Sequence, residues 1–241
     1  MSNNRLARLA GALYLILAAA GGFSELYVRV SARIPGDSAA TAERIRAAGT
    51  LFGVALVTDL VSITCFLLLA FVLYLLLSPV NSKIAATLVI FVAIAVAIMS
   101  LNMINHAGAL AMARDPTYAT ALGVESTDAL ALLFLDLHRQ GHLIAQIFFG
   151  LWLLPLGYLV YKSRYFPRVL GIMLMIGCFG YLGDLVAISF SPGLESSLSP
   201  YLGLPAGLAE IAFLLWLLVK GAREVRRDEE VRGNLGADGY A

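Results

Sequence analysis

The apolar run at about 84–112 carries no charge in its first two thirds. A helix rises 1.5 Å per residue, so a stretch of that length crosses a bilayer with residues to spare. Similar runs lie at about 9–27, 50–77, 169–190 and 202–219, and another enters after Ser126-Thr127-Asp128 and ends near Tyr161. Hydrocarbon offers no partner to a backbone amide, so each run has to satisfy its hydrogen bonds within itself. The chain is therefore expected to be an all-α, polytopic membrane helix bundle with six transmembrane helices. Composition agrees: 60% of residues are hydrophobic, 14% are charged and the mean hydropathy is +0.83, too apolar for a water-soluble fold of this length.

This solvent excludes several classes of function. The net charge of +1 comes from basic residues scattered at segment ends rather than gathered in a patch, so no nucleic-acid footprint is present. Cys65 and Cys178 fall inside apolar runs, where a lone thiol behaves as a small hydrophobe, and they form neither a redox nor a zinc motif. The expected domain is a six-span bundle over 1–221, with a cytoplasmic, disordered tail over 222–241. Function is left to the bundle and its short loops.

Local signals divide the runs. Arg5, Arg8 and the small residues 18–22 also fit an export signal, but the run is long enough to span, and we read it as the first transmembrane helix with Glu25 near its outer end. Pro35-Gly36-Asp37 marks a turn before a short surface helix at 41–46, and the segment 38–46 is a candidate lid. Asp115-Pro116 is a second turn, and Ser126-Thr127-Asp128 reads as a helix cap. Pro155 interrupts the fourth span and bends it. Gly177, Gly180 and Gly183 form a ridge of small residues on the fifth span, and Gly203 and Gly207 stand in GxxxG spacing on the sixth. With both termini in the cytoplasm, eleven of the seventeen basic residues lie inside and six (Arg29, Arg33, Arg44, Arg46, Arg114 and Arg139) outside, as the positive-inside bias requires.

Depth locates the candidate site. Counted from the inner end, Glu25, Asp59, Asn105, His106, His138 and His142 lie ~25–35 Å up their spans, and Asp184 and Glu210 ~15–22 Å up. The inner half is dry. A charged group facing lipid costs several kcal/mol, so these side chains should turn inward around a cavity open to the outside. The expected lining is Glu25, Asp59, Asn102, Asn105, Arg139, Gln146, Tyr181, Asp184 and Glu210, with the pocket formed mainly by the third to sixth spans. It would bind a small molecule or a lipid headgroup.

His138 and His142 stand four apart on one helix face, and His106 sits at a matching depth on the preceding span. Three imidazoles and a water suit tetrahedral Zn²⁺, with nearby carboxylates as acceptors or general base, so a metal-dependent intramembrane hydrolase is one alternative. The sequence His138-Arg139-Gln140-Gly141-His142 lacks the glutamate of HExxH. A proton-coupled carrier is a second alternative, haem between His106 and His142 a third, and a bundle whose polar groups only pack its helices a fourth. In that last reading Asp136 and Arg139 form a local ion pair, and Arg139 or a histidine partners the deep acids.

The phrase Phe149-Gly150-Leu151-Trp152-Leu153-Leu154-Pro155-Leu156-Gly157-Tyr158, continuing to Gly171, resembles a family of small prokaryotic multi-pass membrane proteins, domain of unknown function four-three-eight-six. So do Gly180-Tyr181-Leu182, the run from Glu210 to Gly221 and the opening Arg8-Leu9-Ala10-Gly11-Ala12-Leu13-Tyr14-Leu15. The resemblance implies a six-span bundle in the cytoplasmic membrane of a bacterium or archaeon, with the lipid bilayer as its obligatory partner. It implies no catalytic residue.

Overall fold

In a computed structural model of the chain, residues 2–190 and 195–223 are described; the expected loop at 191–193 and the tail beyond 223 lie outside them. Six helices are long and apolar enough to cross a membrane, and no strand occurs among the described residues. The first span, Asn3–Ala32, comprises α1 (Asn3–Gly22), a π-helical stretch Phe23–Arg29 and the single turn α2 (Val30–Ala32). Then follow α3 (Ser38–Leu77), α4 (Ser82–Arg114), the short α5 (Pro116–Leu122), α6 (Val124–Leu151) continued by α7 (Leu153–Ser163), α8 (Arg168–Phe190) and α9 (Glu195–Val219).

The helix ends follow local chemistry. Asp37, Asn81 and Asp115 each accept a backbone N–H from the first turn of α3, α4 and α5, at 2.9, 3.1 and 2.9 Å. The Thr117 N–H and hydroxyl hold the Asp115 carboxyl below its ordinary value. The expected cap at 126–128 does not form. Helix α6 starts earlier, after Gly123 at φ 84°; Thr127 bonds back to the carbonyls of Gly123 and Val124, and Asp128 is committed to Arg46. The expected surface helix and second span are one 40-residue helix, bent at Gly49, whose φ of 32° and ψ of −95° suit only glycine. The break in the fourth span falls at Trp152, where Pro155 leaves the carbonyl of Leu151 without its helical donor.

The bundle has two unlike halves. At the end where the backbone of Arg223 meets that of Tyr165, called the near end, the core is apolar: Leu69, Leu73 and Leu76 of α3 meet Leu88 and Val92 of α4, Leu156 and Leu159 of α7, Leu174 of α8 and Phe213 of α9. Helices α7 and α8 touch backbone to backbone. A Cβ on Gly157 would lie 2.6 Å from the carbonyl oxygen of Gly171, and one on Gly171 2.5 Å from that of Gly157. On α8, Gly177 and Gly180 let α9 approach in the same way, a Cβ on them falling 2.9 Å from Ala206 and 2.5 Å from Leu202. The GxxxG pair Gly203 and Gly207 meets no described atom within 4 Å, so that spacing is not used within the described bundle.

The far end, at the turns 33–37 and 115–123, is tied by polar groups instead. Arg33 pairs with Asp136 at 2.7 Å and Arg46 with Asp128 at 2.7 Å. Asp136 therefore ties α6 to the end of the first span. A smaller apolar cluster around Ile45, Phe52, Ala109 and Ala131 fills the space between these ties.

Candidate functional site

The first span brings its polar groups inward through ordinary helical spacing. Tyr14, Leu17, Ala18, Gly21, Gly22 and Glu25 fall at i, i+3, i+4, i+7, i+8 and i+11, a single face, and all line one cavity of about 340 Å³. The π-helical stretch carries that face on to Arg29. Extra-wide turns of this kind recur at functional sites because they re-aim side chains without ending the helix. Opposite, α3 contributes Asp59, Ser62, Ile63 and Phe66, again at i, i+3, i+4 and i+7. Ala95, Val96 and Met99 of α4, His142, Gln146 and Phe149 of α6, Trp152, Tyr181 of α8 and Glu210 of α9 complete the wall. All six spans contribute, and the first two supply the largest share, whereas the sequence pointed to the last four.

Arg29 is the electrostatic centre of the upper wall. It is 7% exposed, donates to Glu25 through Nε at 2.8 Å, and forms a two-pronged pair with Asp59, itself 5% exposed. A guanidinium matches two carboxylates geometrically, and a buried pair of this kind needs its full complement of bonds. The sequence places Arg29 on the outer side of the membrane, because the apolar run stops near Tyr27. Its position four residues after Glu25 was the available signal.

The two deeper acids are met by uncharged donors. Tyr14 donates its hydroxyl to Glu210 at 2.8 Å, and Gln146 donates its amide to Asp184 at 2.9 Å and to the Tyr181 carbonyl at 3.2 Å. Hydroxyl and amide donors do here what the sequence assigned to cations. Asp184 stands behind the wall through Gln146.

A second cavity, of about 410 Å³, lies on the far side of Glu25, Arg29 and His142, which line both. Its other walls include Arg33, Pro35, His138, Arg139 and Leu143. The two hollows thus form a vestibule and a chamber, with Glu25, Arg29 and His142 between them. The segment 38–46 contributes to neither lining.

The three histidines separate by role. His106 is fully buried, stacks on Phe52 at 4.2 Å and directs Nε2 to the Phe52 carbonyl at 2.9 Å, so that nitrogen carries the hydrogen and ties α4 to α3. His138 directs Nδ1 to the Asn102 carbonyl at 3.3 Å, while Asn102 donates its side-chain amide to the His138 carbonyl at 2.8 Å and accepts from Asn105 at 2.9 Å. This reciprocal clasp ties α4 to α6, and the absent side chain of Gly141 leaves room for the Asn102 amide. His142 alone faces the chamber, beside Phe149 at 5.6 Å.

The zinc site that the spacing suggested is therefore not assembled. Among the described residues no group of three or more His, Cys, Asp or Glu stands close enough to hold a metal ion, and one nitrogen each of His106 and His138 is turned to a neighbouring helix carbonyl. Asn102, Asn105 and His106 line neither cavity. Sequence reasoning missed Tyr14, Arg29, Phe66, Phe149 and Trp152 as wall residues. For Tyr14 the signal was its spacing of three helical turns from Glu25.

Fold and site together define a class: a multi-pass α-helical membrane protein with an apolar near half, a polar far half and a hollow where the two meet. More particularly, residues 9–221 match the model of the family described as Domain of unknown function (DUF4386), and the chain belongs to that family. An uncharacterized protein of Archaeoglobus fulgidus is 35% identical over 80 residues, 33% of this chain and 46% of the relative, so the match spans about half of that relative's length. No solved structure matches the chain.

Proposed function

We propose that this chain is a membrane-embedded binding protein whose chamber takes a small amphiphilic molecule or lipid headgroup through the vestibule. The observation that carries the reading is the pair of hollows meeting at Glu25, Arg29 and His142: a purely structural polar core has no need of about 340 Å³ of space beside its ion pairs. Ligand pockets are of that size, mostly apolar, with a few convergent polar groups. Six spans with both termini cytoplasmic, as the eleven-to-six distribution of basic residues favours, make the vestibule open to the outside of the cytoplasmic membrane. The bundle 1–221 is the functional unit in this reading.

The test uses Gly22, which lines the chamber and has no atom within 4 Å of a Cβ position. Gly22→Phe fills the hollow from a helical backbone that tolerates a side chain. Purified full-length protein, analysed by native mass spectrometry and by extraction of retained small molecules, should carry a ligand that Gly22→Phe loses while thermal stability holds. Wild-type protein that retains nothing, or retention unchanged in Gly22→Phe, overturns the reading.

A further inference from the structure

The charge and surface of the chamber narrow its ligand. Its wall holds three carboxylates, Glu25, Asp59 and Glu210, against one arginine, Arg29. Glu25 and Asp59 both spend themselves on Arg29. Glu210, deeper in, has the Tyr14 hydroxyl at 2.8 Å, and none of the ion pairs among the described residues includes it. Hydroxyl donors from Tyr14 and Tyr181 satisfy that carboxylate's hydrogen bonding but bring no positive charge, so a cation entering the chamber adds an ion pair that the described residues do not supply.

The surroundings of Glu210 match one kind of partner. Tyr14 meets Trp152 edge-on at 6.0 Å, Trp152 meets Phe66 edge-on at 5.1 Å, and Phe66 lies 5.8 Å from Phe149; all four line the chamber. Aromatic faces attract cations through their quadrupoles, most strongly where water is excluded, and aromatic walls around a carboxylate recognise ammonium groups. An anion has no comparable site, since Arg29 is already held by two acids. A hydrated metal ion would find carbon on most sides.

We infer that the ligand is an organic cation with an apolar body, its ammonium-type charge placed between Glu210 and the rings of Tyr14, Trp152, Phe66 and Phe149. This rests on the chamber being a binding site, as proposed above, and adds the sign of the ligand's charge. The body lies against Leu17, Ile63 and Met99, and the Arg29 pair closes the chamber above it.

Isothermal titration of the full chain in non-ionic detergent with three matched probes separates the possibilities: benzyltriethylammonium, neutral benzyl alcohol and anionic benzenesulfonate. The ammonium should bind saturably, at least tenfold more tightly than the alcohol, with no measurable binding of the sulfonate. Glu210→Gln should weaken the ammonium at least tenfold, Glu210→Asp should retain part of the affinity, and Gly22→Phe should abolish it. Equal binding of the alcohol and the ammonium to wild-type protein overturns the charge assignment and leaves the cavity reading standing; this comparison needs no variant to fold. Ammonium binding that survives Glu210→Gln, or its absence from a wild type that does retain a native molecule, also overturns the assignment.

Discussion

The near and far halves of this bundle solve the same problem by opposite means. In lipid, apolar side chains gain little by leaving a solvent as oily as themselves, so association rests on close packing and on polar contacts between helices. The near half uses packing: Gly157 and Gly171 bring α7 and α8 into backbone contact, and leucines interlock around them. The far half uses Arg29 with Glu25 and Asp59, Arg33 with Asp136, Arg46 with Asp128, and the Asn102–His138 clasp. Packing leaves no space. The chamber lies where the two halves meet: Glu25, Arg29 and Asp59 form its upper wall, and Tyr14, Phe66, Ala95 and Trp152, members of the near half's apolar core, form the wall below.

Mutations can break this contrast, and removing Arg29 should do so most severely. Arg29→Ala strands the buried Asp59 carboxylate and frees the half-exposed Glu25, and should cost about 3–5 kcal/mol, read as a fall in the unfolding transition in detergent. A loss below about 1 kcal/mol would mean that the far half is held by something other than its ion pairs. In the near half, Leu73→Ala should cost about 2–3 kcal/mol by leaving a void, and should leave probe binding in the chamber unchanged. Gly171→Ala tests backbone contact directly: its Cβ meets the Gly157 carbonyl and the Tyr161 amide, both immovable, so a loss of about 2 kcal/mol with altered α7–α8 cross-linking is expected. Asn102→Ala opens one side of the clasp and should cost about 0.6 kcal/mol and at most about 1.7 kcal/mol, the mean and maximum measured for such interhelical bonds.

The smallest effect belongs outside the bundle. Asp115 is fully exposed and caps α5 through Thr117, which lowers its pKa in the folded chain. Its contribution is present above the ordinary carboxylate pKa and fades as pH falls through the lower folded value. The protection factors at 117–119 should therefore fall at acid pH in wild type, and Asp115→Ala should show the lower protection already at neutral pH while both halves keep theirs.

The contrast also explains how the basic residues should be read. The counting rule treats the six far-end arginines as loop charge, yet Arg29, Arg33 and Arg46 are paired with acids and Arg29 is inside the bundle. Their presence there reflects internal charge balance. The near-end basic residues remain the ones that bear on orientation.

Much of the site was legible in the sequence. Insertion cost alone marks Glu25, Asp59, His142, Gln146 and Glu210 as inward-facing, and all five line the chamber. Partners were harder to read than positions. Nothing in the spacing shows that Glu210 meets a tyrosine 196 residues earlier, that Gln146 takes Asp184, or that His106 turns to a carbonyl of α3. A histidine pair four apart looks the same whether its nitrogens converge on a metal or, as with His138 and His142, one ring turns to a neighbouring helix and the other to a cavity.

By itself the sequence determined the solvent, the all-helical backbone, the six crossings and the depth of each ionisable group, because these depend on run length and on the cost of polar atoms in hydrocarbon. The tertiary structure alone decided which face of each helix turns to which neighbour. From that came the pairing of Arg29, the tasks of the histidines and the existence of a hollow, since a void is a property of how several surfaces meet and no single segment encodes it.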